Sequence, residues 1–312
     1  MTSASTTTSP GLSIAVLPAP PHPQLSAAVH AAGAGLCAAP EAEALVWIGD
    51  GPDELAEILE VAPKVRWVQL ASVGIENYLP LMRGGVLWSR AMGVQADLVA
   101  EHALMLALTV LREGTASIRS GTWQPRPAVS LAHNDVLIVG GGSIARALLD
   151  LLRPFQVHTT VVRRSGGPVP GAAVTVNGLD RLDELLAKAR VVFLALPLTF
   201  ETEGLIHRAR LEVMRSDACL VNVARGGLIV MDDLVQALAE QRISGAGLDV
   251  TDPEPLPAGH PLWAMPNCVI TAHCGGDLEN SLPAFADLMT DNIRLVAQGR
   301  EPIGLIDPLP GY

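Results

Sequence analysis

Short apolar runs that do not alternate with polar residues recur along this 312-residue chain, with helical segments between them. A strand with one wet face alternates in polarity; a strand covered on both faces does not. The runs at 12–17, 44–48, 65–70 and 86–89 form a first set, and those at 135–139, 157–162, 191–195, 218–222, 245–250 and 268–271 a second. Helices at 143–153, 179–188 and 231–241 fall between runs of the second set. This rhythm predicts βαβ crossovers, hence parallel, doubly wound α/β sheets. A long helical stretch over 97–118 separates the two sets and opens on Asp97, an N-cap or first-turn acid. Its apolar residues run nearly all round, so neighbours should bury it, a second subunit among them. A last helix over 284–298 follows the final strand and is placed to return to the first set.

Composition narrows the function classes. A hydrophobic fraction of 49% with 17% charged residues excludes global disorder, and with 4% aromatics the core must be aliphatic. The longest apolar stretch, Ala103–Leu111, is about half of the ~20 residues a membrane span needs. A net charge of -11 without any basic run argues against nucleic acid as a partner. The first Lys or Arg is Lys64, so residues 1–10 read as a loose polar tail rather than a secretory or transit leader, and the protein as cytoplasmic. Cys37, Cys219, Cys268 and Cys274 form no C-x-x-C pair and read as reduced thiols. A zinc site of Cys268, His273 and Cys274 lacks the paired spacing of structural zinc, so no metal is expected.

The strand at 135–139 runs into Gly140-Gly141-Gly142-Ser143-Ile144-Ala145 and then a helix. This is G-x-G-x-x-A in the strand–turn–helix setting that dinucleotide binding requires. Gly140 allows the tight turn, Gly142 lets backbone approach a pyrophosphate, and Ala145 lets helix and strand pack closely. The N–H groups of the helix start at Ser143 and Ile144 then face the phosphate. A NAD site carries Asp or Glu about 20 residues on. Here that strand ends in Arg163-Arg164-Ser165 instead. Arginine pairs with a 2′-phosphate, which favours NADP(H) and leaves NAD(H) open. Three more groups follow strand ends on the same side: Arg225, Asp249 with Glu254, and His273. Ligands of open α/β sheets bind outside the carboxyl ends of the strands.

Arg225, Glu254 and His273, embedded in NVARGGLI, DVTDPEPLP and HPLWAMPNCVITAH, resemble the D-2-hydroxyacid dehydrogenase family, from WVQLASVGIENY at 67–78 to about residue 300. The resemblance implies two Rossmann-like domains with the active site in the cleft between them. It sets a discontinuous substrate domain at 1–95 plus 285–312 and a dinucleotide-binding domain at 96–284. It also implies a homodimer built largely by the cofactor domains, and matches Ala100-Glu101-His102 to the family's AEH-bearing helix. It makes His273 the acid/base, Glu254 its partner, and Arg225 the residue that binds the substrate carboxylate and polarises the carbonyl. Ser72, Val73 and Gly74 match the loop that holds the carboxylate through backbone N–H groups. Pro197, Thr199, Thr202, Val223, Ala224, Asp249 and Gly275 fall on the cofactor side, Asp249 near the nicotinamide amide. Phe200, where many relatives have Pro, and Ala272, where Pro usually precedes the His, depart from the pattern. So does Arg163, where the family usually has Asp.

The chemistry suits these residue types. Hydride addition to a 2-oxo acid leaves negative charge on the carbonyl oxygen, which a protonated His neutralises by proton transfer. A neighbouring carboxylate favours that protonated form, and Arg holds a planar carboxylate by two parallel hydrogen bonds. The expectation is an NADP(H)-preferring reductase of small 2-oxo acids, glyoxylate and hydroxypyruvate first, since NADP-type relatives often use them. Relatives that oxidise 3-phosphoglycerate carry basic residues in the loop that here reads IGDGPDE, with Asp50 and Asp53. A NAD-dependent enzyme for a bulkier 2-hydroxy acid, and a nicotinamide-sensing corepressor of the same fold, are the alternatives. His102, His260 and Trp263 are assigned to structure, while Trp88 and Trp123 could line a pocket.

Overall fold

The computed structural model describes residues 11–49, 51–82, 84–127, 129–164 and 166–307. The polar tail at 1–10, Asp50 and Ser165 lie outside the described residues. The chain divides into two compact units, one running to Gln95 and resuming at Asp277, the other Ala96–Gly276.

In the first unit, β1 (Ser13–Leu17), β2 (Gly35–Leu36), β3 (Ala44–Trp47), β4 (Trp67–Leu70) and β5 (Leu87–Ser89) form a parallel sheet in the order β2-β1-β3-β4-β5. Ile14 and Val16 face one core with α1 (Pro23–Ala31), while Ala15 faces the other with α2 (Pro52–Val61). Successive side chains of one strand thus enter opposite cores, and this is why the runs do not alternate in polarity.

In the second unit, α3 (Ala96–Leu111) and α4 (Gly114–Ser120) precede β6 (Asp135–Val139), α5 (Ser143–Leu152), β7 (His158–Arg163), β8 (Val174–Asn177), α6 (Leu182–Leu186) and β9 (Val191–Leu194). Then come α7 (Arg208–Val213), β10 (Cys219–Asn222), α8 (Met231–Ala239), β11 (Gly245–Leu248) and β12 (Cys268–Ile270). The parallel sheet runs β12-β11-β10-β9-β6-β7-β8. Strand order reverses between β6 and β9, the switch point at which such sheets bind dinucleotides. Val136 and Ile138 enter the core shared with α3 and α5; Leu137 and Val139 enter the one under α6, α7 and α8.

Several expectations need correction. The stretch over 97–118 is two helices, because Glu113 takes a left-handed φ of 48° and starts a new one. The last helix, α9 (Leu278–Ala297), starts earlier than residue 284, where Asp277 accepts from the N–H groups of Glu279 and Asn280. Pro283 fits early in that helix, where its missing N–H costs little. The chain therefore returns to the first unit at Asp277 rather than at 285. There α9 packs Phe285, Met289 and Ile293 into the core beneath α1. Its Asn292 donates to the buried Gln69 Oε1 at 2.7 Å, while the Ser89 hydroxyl donates to that same oxygen at 2.7 Å. Among the described residues no helix is long and apolar enough to cross a membrane.

Candidate active site

All strands of the second sheet run parallel, so the residues that follow them share one edge. Gly140 follows β6 with φ of 123°, and a Cβ there would come 2.1 Å from the Ala195 carbonyl oxygen beyond β9. No side chain fits where the turn presses on the switch point. A Cβ on Gly142 would meet no atom within 4 Å, so the space beside it is open where α5 begins. A close-packed turn, an open position and a helix start form a cradle that fits a pyrophosphate.

Arg163 ends β7 and lies against this turn. A Cβ on Gly141 would meet its Cβ at 2.9 Å, and a Cβ on Gly166 its guanidinium at 2.8 Å. Its guanidinium donates to the Gly167 carbonyl at 3.2 Å. Arg164 beside it is exposed. The turn after β9 is closed by Thr202, whose hydroxyl donates to Pro197 O at 2.8 Å and accepts from Thr199 N–H at 2.8 Å. Thr202 thereby shapes the Pro197 segment, and Phe200 at its tip is 96% exposed.

Two backbone hydrogen bonds carry order past the strand ends. Asp249 N–H donates to Asn222 O at 2.9 Å, and His273 N–H donates to Asp249 O at 2.8 Å. The buried Asn222 side chain accepts from Ala224 N–H at 3.1 Å and donates to Arg225 O at 2.8 Å. It thus sets the Val223–Arg225 turn. A Cβ on Gly226 would fall 1.9 Å from Thr251 O, so the loops bearing Arg225 and Glu254 are in backbone contact there. Arg225 donates to Ala224 O at 2.7 Å.

Glu254 and His273 leave adjacent strands and meet at 2.5 Å between Oε1 and Nδ1. With the carboxylate accepting from Nδ1–H, Nε2 is the nitrogen left to exchange a proton. Both side chains are about half-exposed. His273 itself has φ of 49°, a region few non-glycine residues adopt.

Asp249 is the buried centre of the His273 loop. Its Oδ1 accepts from the Thr271 hydroxyl at 2.6 Å and Cys274 N–H at 3.0 Å, and its Oδ2 from Gly275 N–H at 2.9 Å. Burial pushes this carboxyl up, but the bonds from Thr271, Gly275 and Cys274, with His102 nearby, outweigh it and hold the group below the usual carboxylate range. His102 Nε2 lies 2.8 Å from Thr271 Oγ1 and 3.2 Å from Asp249 Oδ1. His102, read from sequence as structural, therefore reaches the site, and Thr271 and Asn222 join it unforeseen. The signal for His102 was its place in the AEH segment.

Ser72, Val73 and Gly74 follow β4 in the other unit. Ser72 O accepts from Ala91 N–H at 3.0 Å, and its hydroxyl is buried without a hydrogen-bond partner. Trp88 is core and Trp123 fully exposed. His260 accepts from Leu262 N–H at 3.4 Å and Trp263 donates to Pro257 O at 3.0 Å, both within their own loop. Cys268 is buried and Cys274 exposed, and among the described residues the group of metal-ligating side chains within 4.8 Å of one another holds Cys274 but neither Cys268 nor His273. A surface hollow of about 730 Å³, lined by Thr109, Val110, Glu113, Arg126 and Met265 among others, contains none of Arg225, Glu254 and His273.

Residues 102–275 match the family model described as D-isomer specific 2-hydroxyacid dehydrogenase, NAD binding domain. An uncharacterised protein of Corynebacterium melassecola is 38% identical over 283 residues, 87% of this chain and 90% of that one. The human glyoxylate reductase/hydroxypyruvate reductase is 32% identical over 258 residues, 79% of this chain and 78% of its own length. A crystal structure of a D-isomer specific 2-hydroxyacid dehydrogenase from Xanthobacter autotrophicus Py2, in complex with NADPH and MES, superposes with a TM-score of 0.81 at 25% identity. That match covers 97% of this chain and all of the other.

Proposed function

This chain belongs to the D-isomer specific 2-hydroxyacid dehydrogenase family, and from that premise we propose that it is an NADP(H)-preferring reductase of small 2-oxo acids, glyoxylate and hydroxypyruvate first. The observation that carries the reading is the 2.5 Å contact of His273 with Glu254, at the same sheet edge as the Gly140–Gly142 turn. The nicotinamide cofactor, when bound, supplies the hydride. The turn and the N–H groups of Ser143 and Ile144 hold the pyrophosphate. Arg163 and Arg164, with Ser165 next in the chain, receive the 2′-phosphate.

Arg225 binds the substrate carboxylate and draws charge toward the carbonyl oxygen. His273 delivers the proton that this oxygen requires as it becomes a hydroxyl. Glu254 fixes the ring and favours its charged form. Asp249 and Gly275, with Pro197, Thr199, Thr202, Val223 and Ala224, border the nicotinamide end. By its resemblance to the family, the Ser72–Gly74 loop is the segment whose backbone N–H groups hold the substrate carboxylate.

Homodimerisation through the second unit belongs to the same reading. Ile118 is 82% exposed and Trp123 fully exposed, apolar surface that a partner copy of the chain removes from water. A spectrophotometric panel of 2-oxo acids with NADPH and NADH in parallel, together with light scattering of the purified protein, tests the proposal. Turnover with glyoxylate or hydroxypyruvate and a dimer mass are expected. No turnover across the panel overturns the reaction, and a monomer overturns the assembly.

A further inference from the structure

His102 and Cys274 take no part in the proton transfer just described, yet both crowd one carboxylate. A coordinating atom from each of His102, Asp249 and Cys274 lies within 4.8 Å of the other two, the one such group among the described residues. We infer that His102 Nε2, an Asp249 oxygen and the Cys274 thiolate form a binding site for a zinc-class divalent cation, zinc or cadmium, beside the proposed acid/base.

The geometry favours four-coordinate zinc. Tetrahedral bonds of about 2.0–2.1 Å to nitrogen and oxygen set those donors about 3.3 Å apart. His102 Nε2 and Asp249 Oδ1 stand 3.2 Å apart. A bond of about 2.3 Å to sulfur puts the thiolate about 3.5 Å from each, so Cys274 Sγ must close by no more than about 1.3 Å from the observed 4.8 Å bound. Cys274 is exposed, and rotation of one short side chain supplies that movement. The donors come from α3, the end of β11 and the loop after β12, the last two fastened by the bonds to Asp249 and α3 joined to them by the His102 contacts with Thr271 and Asp249. The N–H groups of Cys274 and Gly275 orient the carboxylate, as outer partners of metal ligands do.

The charges also match. Carboxylate and thiolate neutralise the dication, imidazole adds a neutral donor, and a fourth position stays open to water. Loading releases the Cys274 thiol proton and shifts the His102 ring proton from Nε2 to Nδ1, so the Thr271 contact is given up. Acid therefore weakens binding. The other thiols do not compete: burial pushes Cys219 and Cys268 up to about 12, and Cys37 belongs to the other unit. A bound cation occupies Asp249 and abuts His273, so it excludes the nicotinamide end of the cofactor. That inhibitory consequence rests on the proposed reaction; the binding does not.

The experiment titrates cadmium into the metal-free full-length protein and follows the ultraviolet sulfur-to-cadmium charge-transfer band, with zinc calorimetry beside it. One equivalent is expected to bind. Cys274→Ala should delete the band, Cys274→Ala and His102→Gln should each weaken zinc binding at least about tenfold, and Cys37→Ala should change neither. Absence of saturable uptake, or a band that survives Cys274→Ala, overturns the site. Where turnover exists, zinc should inhibit competitively with NADPH, and Cys274→Ala should relieve inhibition while keeping the basal rate. Zinc bound through Cys274 with no turnover on any 2-oxo acid would refute the reaction and leave the site standing.

Discussion

His273 Nδ1 stands 2.5 Å from Glu254 Oε1, across two loops that leave the adjacent strands β11 and β12. The contact does not depend on those two side chains alone. His273 is held at φ of 49° by the bond from its N–H to Asp249 O, and the next two residues are bound by the Asp249 carboxylate. The imidazole is thus aimed by its backbone and then oriented by Glu254. A strained residue persists where its surroundings over-determine it.

If His273 and Glu254 work as one unit, their substitutions do not add. His273→Gln should lower kcat by about 10²–10⁴, the range for loss of a general acid. Glu254→Gln should cost less, since a neutral hydrogen-bond acceptor remains. The double variant should then fall close to His273→Gln alone. Cofactor affinity, read by fluorescence titration, should stay near wild type in all three. Full additivity of the two losses would mean that Glu254 acts elsewhere.

Asp249 gives a pH dependence of stability. Its carboxyl is held below the ordinary value of about 3.9 in the folded state, so folding favours its charged form. Such a contribution is complete above the unfolded value and is lost as pH falls through the folded one. The stability difference between wild type and Asp249→Asn should therefore be level from about pH 7 to 5 and shrink below about pH 4. Urea unfolding across that range measures it. A difference that does not change with pH would show that the carboxylate's charge has no part in holding the loop.

The residues that could be read from sequence are those whose surroundings are local. Val136–Val139 and Val191–Leu194 are apolar throughout because each strand is covered on both faces, and a continuous run registers that directly. β2 and β8 escaped because they are edge strands: Gly35–Leu36 is exposed, and Val174–Asn177 has one buried residue. The break at Glu113 turns on one backbone angle within an otherwise helical composition. The common sheet edge of Arg225, Glu254 and His273 was legible because each follows a strand that could be placed. His102 was not, because its partner Thr271 is 169 residues away and only packing of α3 on β11 and β12 brings them together.

Gly140 and Gly142 look alike in sequence and should behave differently. Gly140→Ala forces a Cβ to within 2.1 Å of the Ala195 carbonyl at a φ of 123°. A cost of about 1–3 kcal/mol is expected for that strain, visible as a lower Tm without ligand. Gly142→Ala meets no protein atom within 4 Å, so its Tm should hold. It should instead raise the cofactor KM at least about tenfold, since the methyl takes space the pyrophosphate needs. A Gly142→Ala protein that binds cofactor normally would remove the turn from the binding site.

Cofactor choice is the sharpest test of Arg163. Where a carboxylate would accept from ribose hydroxyls and repel a 2′-phosphate, this chain has a guanidinium packed against Gly141 and Gly166 and donating to Gly167 O at 3.2 Å. Those contacts restrict the side chain beside the turn, so less rotamer entropy remains to be lost on binding. A charge-assisted hydrogen bond contributes about 1.5–3 kcal/mol, which corresponds to a preference for NADPH of about tenfold to a hundredfold. The preference should fall as salt rises, because the group is partly open to solvent. Arg163→Asp should reverse it by removing an attraction and adding a repulsion. Arg164→Ala, at the exposed neighbour, should erode it by less. The measurement is kcat/KM for both cofactors on one 2-oxo acid at two ionic strengths. Equal use of NADPH and NADH by the wild type, or no shift in Arg163→Asp, would reduce Arg163 to a charge that braces the glycine turn.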